Sequence, residues 1–181
     1  MADYFSQTVI QQPIPISDMT ALERLVLENM LQYDVIDDAI YFYAEDGPRD
    51  LIWLERAELE TALKATTHHD TTLGTLIDAS LRKGPPESTE IEVDLSAISW
   101  EYILQDIIKR SSTLAYVTIV TSWSCSKMRP DGFGGMAVMV TPTEIMENST
   151  TAILERWIGA YEKASSDIKA IHNATNAGSA P

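Results

Sequence analysis

The chain predicts an α+β fold: a mainly antiparallel sheet, made of two hairpins plus one further strand, packed against amphipathic helices. Three observations support this. Strand-like segments come in neighbouring pairs rather than in βαβ alternation, helical stripes separate those pairs, and 181 residues with 45% hydrophobic side chains can bury one core. No internal repeat and no linker rich in Pro, Gly or Ser divides the chain, so residues 1–164 are expected to form a single domain. Residues 165–181, rich in Ala, Asn, Ser and Gly, are expected to form a weakly structured tail.

An extended lead-in ends at Pro13 and Pro15, and Thr20-Ala-Leu-Glu23 then has capping-box spacing. The helix it opens turns Leu22, Leu25, Val26 and Met30 inward and should run to Tyr33. Residues 39–44 (AIYFYA) and 50–54 (DLIWL) flank the turn signal Glu45-Asp46-Gly47-Pro48 and read as a hairpin. Period two puts Tyr41 and Tyr43 on one face and Ile40 and Phe42 on the other. One helical layer covers only one set, so the 39–54 hairpin is a candidate homodimer or partner contact.

Residues 55–64 have the composition of a short helix. Asp70 reads as the N-cap of the next one, which buries Leu73, Leu76, Ile77 and Leu81 and closes at Gly84 before Pro85 and Pro86. Residues 90–95 alternate acid and aliphatic, a strand with one wet, acidic face. Ser99 should cap a helix carrying the stripe Trp100, Ile103, Leu104, Ile107 and Ile108. Residues 114–123 and 136–141 form a second strand pair, joined by a stretch that contains Pro130, Gly132, Gly134 and Gly135. Ser149 caps a last helix with Ile153, Leu154, Trp157, Ile158 and Tyr161 expected inward.

Charge narrows the function classes. A net charge of −14 argues against duplex nucleic acid as a direct ligand. No apolar run approaches the roughly 20 residues of a membrane helix, and the N-terminus lacks the basic and apolar regions of a secretory signal. A cytoplasmic location is the expectation, and the single cysteine, Cys125, fits a reducing compartment.

Few residues offer chemistry. His68-His69-Asp70 is the one local group of potential metal ligands, but adjacent histidines point apart on an extended chain and the remaining His172 falls in the tail, so no metal is expected. Gly132-Phe133-Gly134-Gly135-Met136-Ala137 fits the dinucleotide pattern G-x-G-x-x-G/A, yet a strand follows where a helix is needed, so no cofactor is expected. Cys125, with Lys127 and Arg129 nearby to favour the thiolate, is a nucleophile only if His68 or His69 reaches it as a base. Acid pairs and rows such as Asp37-Asp38, Glu45-Asp46 and Glu90, Glu92, Asp94 most simply form solvated faces.

The charge is polarised along the chain. Residues 18–60 hold twelve acids and three bases, whereas residues 107–131 carry a net charge of +3. In charge and size alone the chain resembles the acidic DNA-mimic proteins with which phages and plasmids block restriction or CRISPR nucleases. That resemblance implies an inhibitor or regulator that occupies the basic groove of a nucleic-acid-acting complex. The segment Lys127–Gly135 adds two cations, a rigid proline and Phe133, the ingredients of an interface hot spot. The expectation is therefore a non-enzymatic acidic interaction module that binds a partner protein through Lys127, Arg129, Phe133, Asp37, Asp38, Glu45 and Asp46. The alternative is a small enzyme or ligand-binding protein with its site at the 122–135 loop.

Overall fold

In the computed structural model, which describes residues 2–66 and 71–177, alternating and β-branched segments form nine strands and the periodic ones five α-helices. In chain order these are β1 (Tyr4–Ile10), β2 (Ile14–Pro15), α1 (Ala21–Met30), β3 (Gln32–Ile36), β4 (Ala39–Ala44), β5 (Leu51–Glu55), α2 (Arg56–Ala65) and α3 (Thr72–Lys83). There follow β6 (Glu90–Asp94), α4 (Glu101–Arg110), β7 (Val117–Cys125), β8 (Phe133–Val140), β9 (Ile145–Ser149) and α5 (Thr150–Ala177). The chain divides into two units, Met1–Glu147 and Asn148–Pro181.

The α+β class is as the sequence predicts. Seven strands form one sheet in the order β2-β4-β1-β7-β8-β9, with β3 on β4, and β5 and β6 form a second. The pairs between β1 and β4, β1 and β7, β3 and β4, β5 and β6, and β7 and β8 are antiparallel. Both sheets share one core: Ile10, Phe42 and Ile119 from the larger sheet, Ile52 and Val93 from the smaller, and Val26, Leu59, Ile77 and Leu104 from α1 to α4. Complete burial of such a side chain contributes about 1.5–3 kcal/mol, and Phe42, Ile10 and Leu104 have no exposed surface.

The expected 39–54 hairpin does not form. Gly47 turns the chain with φ 85°, but the Arg49 amide then donates to the carbonyl of Met30, which carries residues 49–51 away from β4. β5 pairs instead with β6, from Leu51 opposite Asp94 to Glu55 opposite Glu90. The hairpin partner of β4 is β3, joined to it by the two-residue turn Asp37-Asp38 with Asp37 at φ 53°. That turn ends the α1 region early: the helix stops at Met30 and Gln32–Ile36 is strand, not the last helical turn expected there. Asp and Asn tolerate positive φ better than most residues, which is why an acidic pair can serve as a hairpin turn.

The lead-in is a strand at the centre of the large sheet: β1 lies between β4 and β7, with Thr8 opposite Ala44 on one side and Thr121 on the other. The capping box of α1 forms as expected, Glu23 N–H donating to Thr20 Oγ1 and Thr20 N–H to the Glu23 carboxylate. Thr71 caps α3 through the Gly74 amide, whereas Asp70, the expected cap, lies outside the described residues. Trp100, with no side-chain cap bond, holds the N-cap of α4. Ser99, expected there, donates instead to the Glu101 carboxylate.

Ser149 does cap α5, accepting from the Ala152 amide. The helix continues past Ser165, where composition suggested a weak tail, to Ala177. No Gly or Pro interrupts residues 160–177, so nothing in that stretch breaks the backbone ladder.

Candidate interaction surfaces

The β5–β6 ribbon has two unlike faces. Ile52, Leu54, Ile91 and Val93 turn into the core, which forces Leu51, Trp53 and Glu55 outward beside Glu90, Glu92 and Asp94. Trp53 is 57% exposed and lies opposite Glu92. At about 3.4 Å per residue the carboxylates of β6 stand roughly 7 Å apart. Glu55 and Glu90 face each other as like charges, a pairing that costs stability unless a cation bridges it. A groove of about 460 Å³ runs between α3 and β6, with Trp53, Leu76, Lys83 and the three β6 acids in its wall. The Ser96 hydroxyl and amide both donate to Asp94 Oδ1, at 2.6 and 3.0 Å, and hold its carboxyl below the usual aspartate range; Lys83 adds to the effect.

The 127–135 segment differs from its expected form. β7 is shifted to end two residues later, and β8 begins three residues earlier, than the sequence suggested, so the connection shrinks to residues 126–132 and Phe133, Gly134 and Gly135 become ladder residues. Phe133 is therefore not a loop tip. It pairs with Ser124, which on its other side pairs with Phe5, and both rings are about half exposed on the sheet face turned from the core. Val9, Tyr43, Val120 and Ala137 continue that face along one row. Lys127 and Arg129 are exposed on the loop, with Arg129 Nη1 donating to the Tyr4 hydroxyl at 3.3 Å. Of the other cations in the basic segment, Lys109 pairs with Asp106 and Arg110 with the buried Glu23 at 2.5 Å.

The glycines have structural duties. A Cβ on Gly134 would overlap Trp123 Nε1, so the indole occupies that space, and a Cβ on Gly132 would lie 2.7 Å from the Cβ of Cys125. Cys125 is buried. Asp37 and Asp38 form the β3–β4 turn, while Glu45 and Asp46 follow the other end of β4; all four are exposed, and they are separated by the strand rather than gathered. His68 and His69 lie outside the described residues, and His172 lies in α5. Among the described residues no group of three or more His, Cys, Asp or Glu is placed to hold a metal ion, and no helix is long and apolar enough to cross a membrane.

Sequence reasoning missed Phe5, Tyr4 and the pairing that sets Trp53 beside the β6 acids. The first two lay in a segment whose alternation, Tyr-Phe-Ser-Gln-Thr-Val-Ile, is only partly polar. Trp53 was assigned to a sheet with the wrong partner. Set against family models, curated proteins and solved structures, the chain matches none.

Proposed function

We propose that the protein is a non-enzymatic interaction module that offers an acidic, tryptophan-centred face to a basic partner protein. The class of partner that suits this chemistry is a nucleic-acid-acting complex, whose groove is lined by Arg and Lys. One observation carries the reading: Trp53 and Leu51 are exposed among Glu55, Glu90, Glu92 and Asp94 on the outer face of β5–β6.

An arginine fits such a face twice, its edge on a carboxylate and its plane on the indole. Covering Trp53 and Leu51 supplies apolar contact area that carboxylates alone lack. The remaining acids, Asp37, Asp38, Glu45 and Asp46 among them, add to a field that steers a basic partner inward. Lys127, Arg129 and Phe133 provide a second contact of opposite charge, suited to an acidic patch on the same partner.

Capture from a lysate of the source cells, at low and high salt and with mass spectrometry of the eluate, tests the reading. Wild-type bait should retain a basic nucleic-acid-acting protein that salt releases, and bait carrying Glu90→Lys and Glu92→Lys should lose it. Trp53→Ala should weaken the purified complex about tenfold or more, the effect of removing an aromatic anchor. A bound set indifferent to salt and to charge reversal overturns the proposal.

A further inference from the structure

The helix α5 carries an apolar stripe that the acidic face does not use. Leu154, Trp157, Ile158 and Tyr161 step by three, one and three residues along one side of the helix, and they are 53, 62, 55 and 75% exposed. The sequence continues the spacing at positions 164, 168 and 171 (Ala, Ile, Ile). This gives a seven-residue repeat: 154, 161 and 168 in one seam register, 157, 164 and 171 in the other. A strict seven-residue repeat is the signature of a helix that pairs with another helix. Helices in water owe most of their stability to a covered apolar face rather than to propensity, and α5 is 28 residues long.

Charge selects the occupant. Glu155, Glu162 and Asp167 are balanced by Arg156, Lys163 and Lys169, so the whole net charge of −14 belongs to residues 1–147. A strongly basic or acidic partner finds no complement on α5, whereas a second α5 matches it in both charge and length.

We infer that α5 pairs with α5 of a second copy of this chain as a coiled coil, burying Leu154, Trp157, Ile158 and Tyr161 between the two helices.

Sedimentation of the full chain from about 1 to 200 µM tests the inference, a range that brackets a Kd of about 10 µM. Wild type should approach twice 20.1 kDa with concentration. Trp157→Asp with Tyr161→Asp should stay monomeric throughout, with the circular dichroism and unfolding transition of the body unchanged, because both side chains are exposed. A monomeric wild type, including one whose helix docks on its own chain, overturns the inference, and so does a dimer that survives the double substitution.

Discussion

At Gly134 the absence of a side chain is what lets the Trp123 indole lie across the strand, so Gly134→Ala forces the ring out. We expect a loss of about 1–3 kcal/mol, typical of overpacking, measured by denaturant unfolding. Trp123→Ala should cancel much of that loss in the double variant, and an additive result would show that the two residues are not in conflict. Arg110 matters for another reason: its partner Glu23 is only 3% exposed, and that carboxylate also receives the Thr20 amide. Arg110→Met should cost about 2 kcal/mol, below the 3–5 expected for a fully buried pair because the arginine keeps some contact with water. Cys125, packed under Gly132, should react with iodoacetamide far more slowly in the folded protein than after unfolding; equal rates would contradict its burial. Asp94 titrates below its ordinary range in the folded state, so it stabilises the fold above the ordinary aspartate value of about 3.9. That contribution disappears as pH falls through the lowered value. The stability gap between wild type and Asp94→Asn should accordingly narrow on acidification.

Among the elements, those written in a strong local period were legible and those that depend on a distant partner were not. The stripe of α4, the capping box of α1 and the alternation of β6 each declare themselves within ten residues, and Ile103, Leu104, Ile107, Ile91 and Val93 are buried as that periodicity requires. The 39–54 segment misled because Glu-Asp-Gly-Pro does bend the chain, but a bend does not choose which strand follows beside β4. Asp37-Asp38 supplies the hairpin turn that was assigned to residues 45–48. In α5 the stripe was read correctly as a stripe, and its inward direction was an assumption about the cover that spacing cannot supply. The acidic row of β6 was visible from sequence; the Trp53 beside it emerged only once β5 was paired with β6. The turn itself can be probed: Asp37→Gly should leave stability unchanged or raise it slightly, whereas Asp37→Val, β-branched at φ 53°, should cost about 1–3 kcal/mol. Equal stabilities for the two variants would contradict that backbone geometry.

Across the whole molecule, the net charge lies in residues 1–147, whereas α5 is neutral and exposes an apolar stripe. A pair of chains joined through α5 would carry two Trp53 faces on one particle and so bind a repetitive basic partner with a higher effective concentration than one chain alone. Binding measured with Trp157→Asp, Tyr161→Asp protein should then keep the single-site affinity but lose the slow dissociation of the bivalent form. The outermost strand of the large sheet has a further consequence. β3 pairs with β4 on the side opposite β1, its five residues are all exposed, and Tyr33, Val35 and Ile36 are among them. Such an edge is a template for adding foreign strands, and Asp34, Asp37 and Asp38 set like charges along it. As the medium approaches the isoelectric point of 4.4, the net charge that keeps copies of the chain apart falls towards zero and the edge becomes adhesive. Storage and purification in mild acid should therefore convert the protein to β-rich aggregates that grow from β3, and a lysine at Val35 should delay them.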